Sequence, residues 1–434
     1  MKQTVLRLAV PAALKQLLEM VQLLIDMLMV GALGVAALAA VGLSMQFMMV
    51  IQAIMTVYAV GSAALISRYI GSGRRHRASA VVFAGIWVAL AGSAVVGGIG
   101  WVYAVDFFRW MGSGPEVASL GSDYFQILAA GMGLLFLDTL AFNALSAAGD
   151  TRSSLMIKIV SACINAGLNY LLIFGHGGFE AMGIEGAAYA TVCAYGFNVA
   201  AYGWLLIRKG GVLSVYPIFN YGDLKKMLRT GLPAAVERVV GVASFLLFVM
   251  MIASYGTHAL AGYQIGLRIE ALAFMPGFGF SVAAMVLSGQ YIGARQYEHA
   301  YQSGILSAKI AMAFMGSVGV ILFLFPEYLA GWFTEDAHTI EQASLYLRLV
   351  GISQIPLALT FVLSGALRGA GATRVSMRIS ILSLWLFRII PSYLVMKSGG
   401  DILWVYVAMT VETFIKGGWF WRVYRQRGWL ATAV

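Results

Sequence analysis

The sequence predicts an all-α membrane protein whose twelve transmembrane helices form two homologous lobes of six helices each. Three observations lead to this prediction: the composition, a series of twelve apolar segments, and an internal repeat. Of the 434 residues, 60% are hydrophobic and only 11% are charged, whereas soluble domains contain about 25% charged residues. A chain of this length cannot enclose so many apolar side chains behind its own polar surface, so the bilayer must solvate them.

Each apolar segment is close to, or somewhat longer than, the ~20 residues that an α-helix needs to cross a bilayer. The predicted spans are 5–30, 38–66, 80–104, 123–148, 153–175, 184–207, 228–254, 260–288, 301–325, 344–368, 374–396 and 403–422.

The internal repeat has an offset of 222 residues, which aligns Pro11 with Pro233. The same offset aligns the sequence GDTR at 149–152 with GATR at 371–374. Six spans per copy give both copies the same orientation, with an expected axis along the membrane normal and alternating access by rocking of the lobes. The predicted division is an amino-terminal lobe at 1–207, a cytoplasmic linker at 208–230 and a carboxy-terminal lobe at 231–434.

The net charge of +10 serves membrane topology. Lysines and arginines concentrate in the loops of one side, which by the positive-inside rule places both termini in the cytoplasm. We therefore expect a multi-pass protein of the inner, or plasma, membrane, with the lipid bilayer as its surroundings and no nucleic-acid partner.

Four polar side chains in the first span, Lys15, Glu19, Gln22 and Asp26, have spacings of 4, 3 and 4 residues, which places them on one stripe of a helix. Lys15 and Glu19 are an i,i+4 pair that can neutralise each other. Asp26 has no cation nearby in the sequence, so its carboxylate is a candidate to bind a proton or, with oxygen ligands around it, Na⁺. The alternative is that Asp26 only joins helices by hydrogen bonds.

Asn165 and Asn169 share a face of the fifth span and could support Asp26, together with Thr191 of the sixth span. The alternative is that these asparagines only hold helices together. Asp138 in the fourth span is a second candidate acid, and Glu19, Gln22 and Asp138 are candidates for lining a substrate cavity.

In the other lobe, the candidates for lining a cavity are Glu237 and Glu270, for which structural pairing is the alternative. Pro11, Pro233 and Pro276 are expected to bend their helices. Under the 222-residue offset Asp26 falls on Phe248, so the scaffold is duplicated whereas this acid is not.

The sequence contains no catalytic, nucleotide-binding or metal motif of the GxSxG, GxxxxGK[ST] or HExxH type, so we expect neither an enzyme nor a cofactor. Na⁺ at Asp26 is the one metal considered. Without a nucleotide-binding module, an ion gradient or a partner must supply the energy for transport.

The chain resembles the multidrug and toxic compound extrusion family over nearly its whole length. The residues that carry this resemblance are LAVPAALKQLLEMVQLLIDMLMVGALG (8–34), GAAYAT (186–191), RTGLPAAVE (229–237), LAGYQIGLRIEALAFMPGFGFSVAAMVLSGQYIGA (260–294) and LRGAGATR (367–374). The resemblance implies export of amphipathic, mainly cationic organic compounds in exchange for H⁺ or Na⁺.

In the prokaryotic branch of that family, an aspartate that follows a proline in the first helix is the central ion-binding acid, and Asp26 matches it. Asn165 and Thr191 match the usual residues of the fifth and sixth helices, whereas Asn169 replaces a usual aspartate. This replacement leaves H⁺ and Na⁺ both open as the coupling ion. We expect a monomer, since one chain supplies both lobes. The alternative function is a lipid-linked precursor flippase of the same superfamily, which should have a cationic cavity.

Overall fold

The computed structural model describes residues 1–208 and 213–431. Within these ranges the chain is helical, with short turns and no β-strand. The helices are α1 Lys2–Gly31, α2 Val35–Gly71, α3 Arg75–Val102, α4 Ala104–Trp110, α5 Pro115–Ala130, α6 Met132–Ala148, α7 Thr151–Phe174, α8 Gly183–Ile207, α9 Tyr221–Ala253, α10 Thr257–Gly293, α11 Tyr297–Leu324, α12 Pro326–Gly331, α13 Ala337–Gly369, α14 Thr373–Leu384, α15 Ile390–Lys397 and α16 Ile402–Arg425.

The predicted all-α membrane fold is confirmed. In the described part of the chain, ten helical segments are long and apolar enough to cross a membrane, and α5 with α6 forms an eleventh span bent by 54°. The helix α16 has 24 residues, and Glu412 and Lys416 lower its apolarity. These eleven spans and α16 overlap the twelve segments predicted from the sequence, and α16 as a twelfth span stays a prediction.

The helices α1, α9 and α10 run through Pro11, Pro233 and Pro276 without interruption. Each proline removes one backbone hydrogen bond from its helix, and the bend expected at each of them stays a prediction. The predicted span 374–396 is irregular instead at Trp385–Ile389, where a π-helical turn separates α14 from α15.

The contacts within the chain define two compact units, residues 15–231 and residues 1–14 with 232–434. We call them the amino-terminal unit and the carboxy-terminal unit. Their borders lie inside α1 and α9, whereas the sequence division placed them around the segment 208–230. Val5, Leu8 and Ala9 at the start of α1 are accordingly buried in the core of the carboxy-terminal unit, together with Phe280 and neighbouring residues.

Two glycines show how closely these helix starts pack. A Cβ atom on Gly231 would overlap the carbonyl oxygen of Val57 in the amino-terminal unit, and a Cβ on Gly279 would lie 2.5 Å from the carbonyl oxygen of Ala9 in the carboxy-terminal unit. The pair Gly231–Val57 is the pair Ala9–Gly279 displaced by the repeat offset of 222 residues. Both units therefore contain the same close crossing of two helices. The glycine lies on α9 in the amino-terminal unit and on α10 in the carboxy-terminal unit.

Candidate functional site

The polar stripe of α1 begins with an ion pair. The Lys15 ammonium lies 2.8 Å from the Glu19 carboxylate, which confirms the i,i+4 pair predicted from the sequence. The same ammonium lies 3.7 Å from the ring centroid of Phe142 in α6. Lys15 is thus held between a carboxylate of its own helix and an aromatic ring of a second helix.

Asp26, farther along the stripe, is held by an amide. The Nδ2 of Asn169 donates to Asp26 Oδ1 at 2.6 Å and lies 3.3 Å from Asn165 Oδ1. Both asparagines are buried, at 1% and 0% exposure, because their spacing of four residues on α7 turns them toward the same side. Across residues 1–208 and 213–431, no lysine, arginine or histidine nitrogen lies within 4 Å of the Asp26 carboxylate.

The asparagine pair is only partly satisfied. Asn165 Nδ2 and Asn169 Oδ1 are buried and have no hydrogen-bond partner within the described ranges. Buried polar groups without a partner are unusual, which indicates that they bind an ion or serve a second state of the site. They provide one further donor and one further acceptor beside the Asp26 carboxylate.

The other two candidates of this group are less closely connected. The hydroxyl of Thr191 donates to Ala187 in its own helix at 2.9 Å, which leaves its oxygen lone pairs available. Gln22 Oε1 is buried without a partner in the described part of the chain. The structure therefore joins Asp26, Asn169 and Asn165 by hydrogen bonds, and Thr191 and Gln22 are not bonded to them.

Asp138 on α6 belongs to the same charged region. It interacts through space with Lys15, Glu19 and Lys158, and with the side-chain amide of Asn198. A second acid thus lies near the start of the α1 stripe, whereas Asp26 lies near its end.

Sequence reasoning missed four residues of this region: Lys158, Asn198, Tyr124 and Tyr195. The two tyrosines interact electrostatically with Asp26. Lys158 precedes Asn165 by seven residues and therefore lies on the same face of α7. That spacing was a signal by which the sequence could have revealed it.

The two candidate acids of the carboxy-terminal unit have direct partners. Glu237 lies 2.8 Å from Arg368 and accepts from the Ser376 hydroxyl at 3.2 Å. Glu270 is buried and accepts a 2.5 Å hydrogen bond from the hydroxyl of Tyr346. The alternatives for Glu237 were cavity lining and structural pairing. Its ion pair with Arg368 agrees with structural pairing.

Glu412 of α16 is the most deeply buried acid of the described residues, and no role was predicted for it. It is fully buried and lies 2.7 Å from Arg388 in the π-helical turn and 2.7 Å from Lys416 on its own helix. The Ser383 hydroxyl donates to it at 3.2 Å. Two cations therefore balance this carboxylate.

Asp26 and its surroundings suit a small cation. Carboxylate and amide oxygens are among the ligands that hard cations prefer, and Asp26 and Asn169 supply one of each. No group of three or more histidine, cysteine or acidic side chains in the described ranges could hold a metal ion, so a transition-metal site has no support there.

Comparison with known proteins agrees with this fold. The MatE family model matches the chain twice, at residues 11–171 and 233–394, so the two matches begin at the two aligned prolines. A probable multidrug resistance protein NorM of Thermotoga maritima is 31% identical over 91% of this chain and 86% of its own length. A FAD transporter of Shewanella oneidensis is 28% identical over 79% of this chain and 77% of its own length.

Among solved structures, an outward-facing multidrug resistance MATE family transporter of the MOP superfamily has a similar fold. The TM-score is 0.91 at 21% sequence identity, over 100% of this chain and 97% of that chain. The family model and the relatives together establish that this chain belongs to the multidrug and toxic compound extrusion family of membrane transporters.

Proposed function

We propose that the protein is a multidrug efflux antiporter that exports amphipathic, mainly cationic organic compounds in exchange for H⁺ or Na⁺. The relatives named as multidrug resistance proteins support the export of drugs. The observation that carries the coupling proposal is the state of Asp26, whose carboxylate is hydrogen-bonded to Asn169 and has no basic partner in the described part of the chain. A carboxylate in this state can change its charge during a transport cycle.

The proposed cycle uses this change of charge. H⁺ or Na⁺ binds at Asp26 from the outside, supported by Asn165, Asn169 and Thr191, and neutralises the carboxylate. The neutral site loses its attraction for a cationic compound, which leaves toward the outside. After the lobes rock and the ion leaves toward the cytoplasm, the ionised site attracts the next cation. The different affinities of the two states for ion and cargo couple the two fluxes.

The setting of this cycle is part of the proposal. The protein acts as a monomer in the inner membrane, with both termini in the cytoplasm. The lipid-linked precursor flippase, which was the alternative function, is not favoured, because the relatives include proteins named for multidrug resistance.

The test is dye transport by purified protein in proteoliposomes. Asp26→Asn keeps the size of the side chain and its capacity to accept from Asn169, but it cannot ionise. We expect loss of transport driven by an ion gradient, with a remaining ability to bind the dye. Glu327→Gln is the matched control, since Glu327 is an exposed acid paired with Arg348, and it should transport normally. Wild-type transport with unchanged ion dependence in Asp26→Asn would contradict the proposal.

The same vesicles distinguish the two coupling ions. An imposed pH gradient without Na⁺, and an imposed Na⁺ gradient at equal pH, are applied separately. A proton site at Asp26 requires uptake in the first case alone, and a Na⁺ site requires uptake in the second. Uptake in neither case would contradict ion coupling.

A further inference from the structure

Lys158 is a buried cation to which the transport cycle above assigns no task. Its side chain on α7 is 8% exposed, although a charged side chain inside a bilayer is expensive unless it faces protein or water. None of the described carboxylates lies within the 4 Å ion-pair distance of its ammonium. Its strongest charge interactions are through space, with Glu19, Lys15, Asp138 and Asp26.

The position of Lys158 follows from helix geometry. It lies eleven residues before Asn169 on α7, and Lys15 lies eleven residues before Asp26 on α1. Eleven residues correspond to about 16 Å along a helix. Asn169 is hydrogen-bonded to Asp26 near the end of the α1 stripe. Lys158, eleven residues earlier on α7, is therefore expected near the beginning of that stripe, which agrees with its charge interactions with Glu19 and Lys15.

The charged side chains of this region, of which Lys158 is buried and the others are partly exposed, form one cluster, which we call the amino-terminal charge cluster. It contains three carboxylates and two ammonium groups: Glu19, Asp26, Asp138, Lys15 and Lys158. When all five groups are ionised, the cluster carries one net negative charge. One ammonium is fixed in the Lys15–Glu19 pair at 2.8 Å, whereas the other has no carboxylate partner at that distance anywhere in the described ranges.

We propose that Lys158 is a built-in counter-cation that limits the amino-terminal charge cluster to one additional positive charge and thereby selects singly charged cargo. This inference rests on the proposed function, since it concerns the cargo and the ion of that same site. One bound H⁺, one Na⁺ or one organic monocation neutralises the cluster. A dication exceeds its capacity and meets the repulsion of the Lys158 ammonium.

Removing the Lys158 ammonium should therefore change how strongly the amino-terminal charge cluster prefers a singly charged cation to a doubly charged one. Lys158→Met keeps an unbranched side chain of similar length and leaves two net negative charges in the cluster. Two unit charges roughly 10 Å apart, at an effective dielectric constant near 20, interact strongly enough to change an affinity by more than about tenfold. The affinity for a dication should rise more than the affinity for a monocation of the same shape.

The test compares ethidium and propidium, which share one aromatic chromophore but carry one and two positive charges. Binding of each dye to purified protein is measured by fluorescence, at fixed pH and salt concentration. We expect the ratio of propidium affinity to ethidium affinity to increase about tenfold or more in Lys158→Met. Lys158→Arg retains the charge and should keep the wild-type ratio.

A second control addresses the loss of a lysine as such. Lys309→Met removes an exposed lysine of α11 and should leave the ratio unchanged. The double variant Lys158→Met with Asp138→Asn restores one net negative charge and should return the ratio toward that of wild type. A merely structural Lys158 would change stability or expression, but it would not make the ratio follow the net charge.

The outcome is separable from that of the proposed function. An unchanged ratio in Lys158→Met overturns the inference about Lys158, even where Asp26→Asn abolishes coupling. Should Lys158→Met alone not yield folded protein, the double variant is compared with Asp138→Asn: the ratio should be about tenfold higher in the double variant, and equal ratios overturn the inference. A changed ratio with fully coupled transport in Asp26→Asn would instead retain the charge selection and reject Asp26 as the coupling acid.

Discussion

Two acids, Glu412 in one unit and Asp26 in the other, have opposite kinds of partner. In the carboxy-terminal unit, Glu412 is fully buried and lies 2.7 Å from each of two cations, Arg388 and Lys416. In the amino-terminal unit, Asp26 is bonded to the neutral amide of Asn169. An ion pair fixes the charge of a carboxylate, whereas an amide accepts either protonation state. The same duplicated scaffold therefore has, at Glu412, a charge that holds two helices together and, at Asp26, a carboxylate without an ion pair in the described part of the chain.

The repeat makes this difference visible at a single position. The residue that corresponds to Asp26 is Phe248, which is buried in the core of the carboxy-terminal unit at 2% exposure. The guanidinium carbon of Arg388 lies 5.7 Å from the centroid of its ring. An apolar ring beside a fixed cation thus occupies the place where the other copy has a carboxylate.

The largest stability effect should come from breaking the carboxy-terminal ion pair. Arg388→Met leaves the Glu412 carboxylate buried with one of its two cations, and removal of one partner from a buried pair costs about 3–5 kcal/mol. Thermal unfolding in detergent measures the change. Arg348→Met, which opens an exposed pair with Glu327, is the control and should cost less than about 1 kcal/mol. Equal changes in the two variants would contradict a structural role for the buried pair.

The next effect concerns the helix crossing that both units share. Gly231→Ala places a methyl group against the carbonyl oxygen of Val57, and overpacking of this kind costs typically about 1–3 kcal/mol. On the same helix, Gly241 has no atom within 4 Å of a Cβ position, so Gly241→Ala is a matched control that should be neutral or stabilising. Thermal unfolding of both variants tests this, and a stable Gly231→Ala would show that the crossing can relax.

A smaller stability effect is expected at Asp26, the proposed coupling acid. Asp26→Asn keeps an oxygen that accepts from Asn169 and breaks no ion pair of the described chain, so the free energy of unfolding should change by less than about 1 kcal/mol. This value is measured on the same preparation that is used for transport. A loss as large as that of Arg388→Met would mean that the Asp26 carboxylate is a structural charge and would remove the contrast between the units.

The smallest effect lies at the surface. Asp336 caps α13 and accepts from the Thr339 side chain and backbone, with His258 also in contact. These hydrogen bonds lower the pKa of Asp336 from 3.8 to about 2. A lowered pKa in the folded state gives stability that is present above 3.8 and is lost as the pH falls toward 2. Asp336→Ala should therefore unfold slightly earlier than wild type at neutral pH, and the difference should disappear in this acidic range.

Much of the fold could be predicted because its signals are local. A run of apolar residues identifies a span wherever the rest of the chain lies, and the repeat offset of 222 residues is visible in the letters alone. The stripe from Lys15 to Asp26 and the shared face of Asn165 and Asn169 also follow from helical periodicity. The Lys15–Glu19 pair was predicted correctly because both groups belong to one helix.

Contacts between helices have no comparable local signal. Arg388 and Glu412 belong to different helices, and the pairing of Glu237 with Arg368 spans 131 residues. The spacing of seven residues places Lys158 on the Asn165 face of α7, but it does not show which charged groups of other helices lie opposite. The borders of the compact units, inside α1 and α9, likewise depend on which neighbour each end of a helix packs against.

The sequence by itself determined the twelve spans, the duplication and the set of charged groups placed within the bilayer. Only the tertiary structure decided which of these charges are paired, since an ion pair requires two atoms within about 4 Å and that distance depends on how separate helices pack. Helical periodicity fixes the side of a helix on which a group lies. The identity of the group opposite is a property of the packed bundle, and it separates the paired Glu412 from the amide-held Asp26.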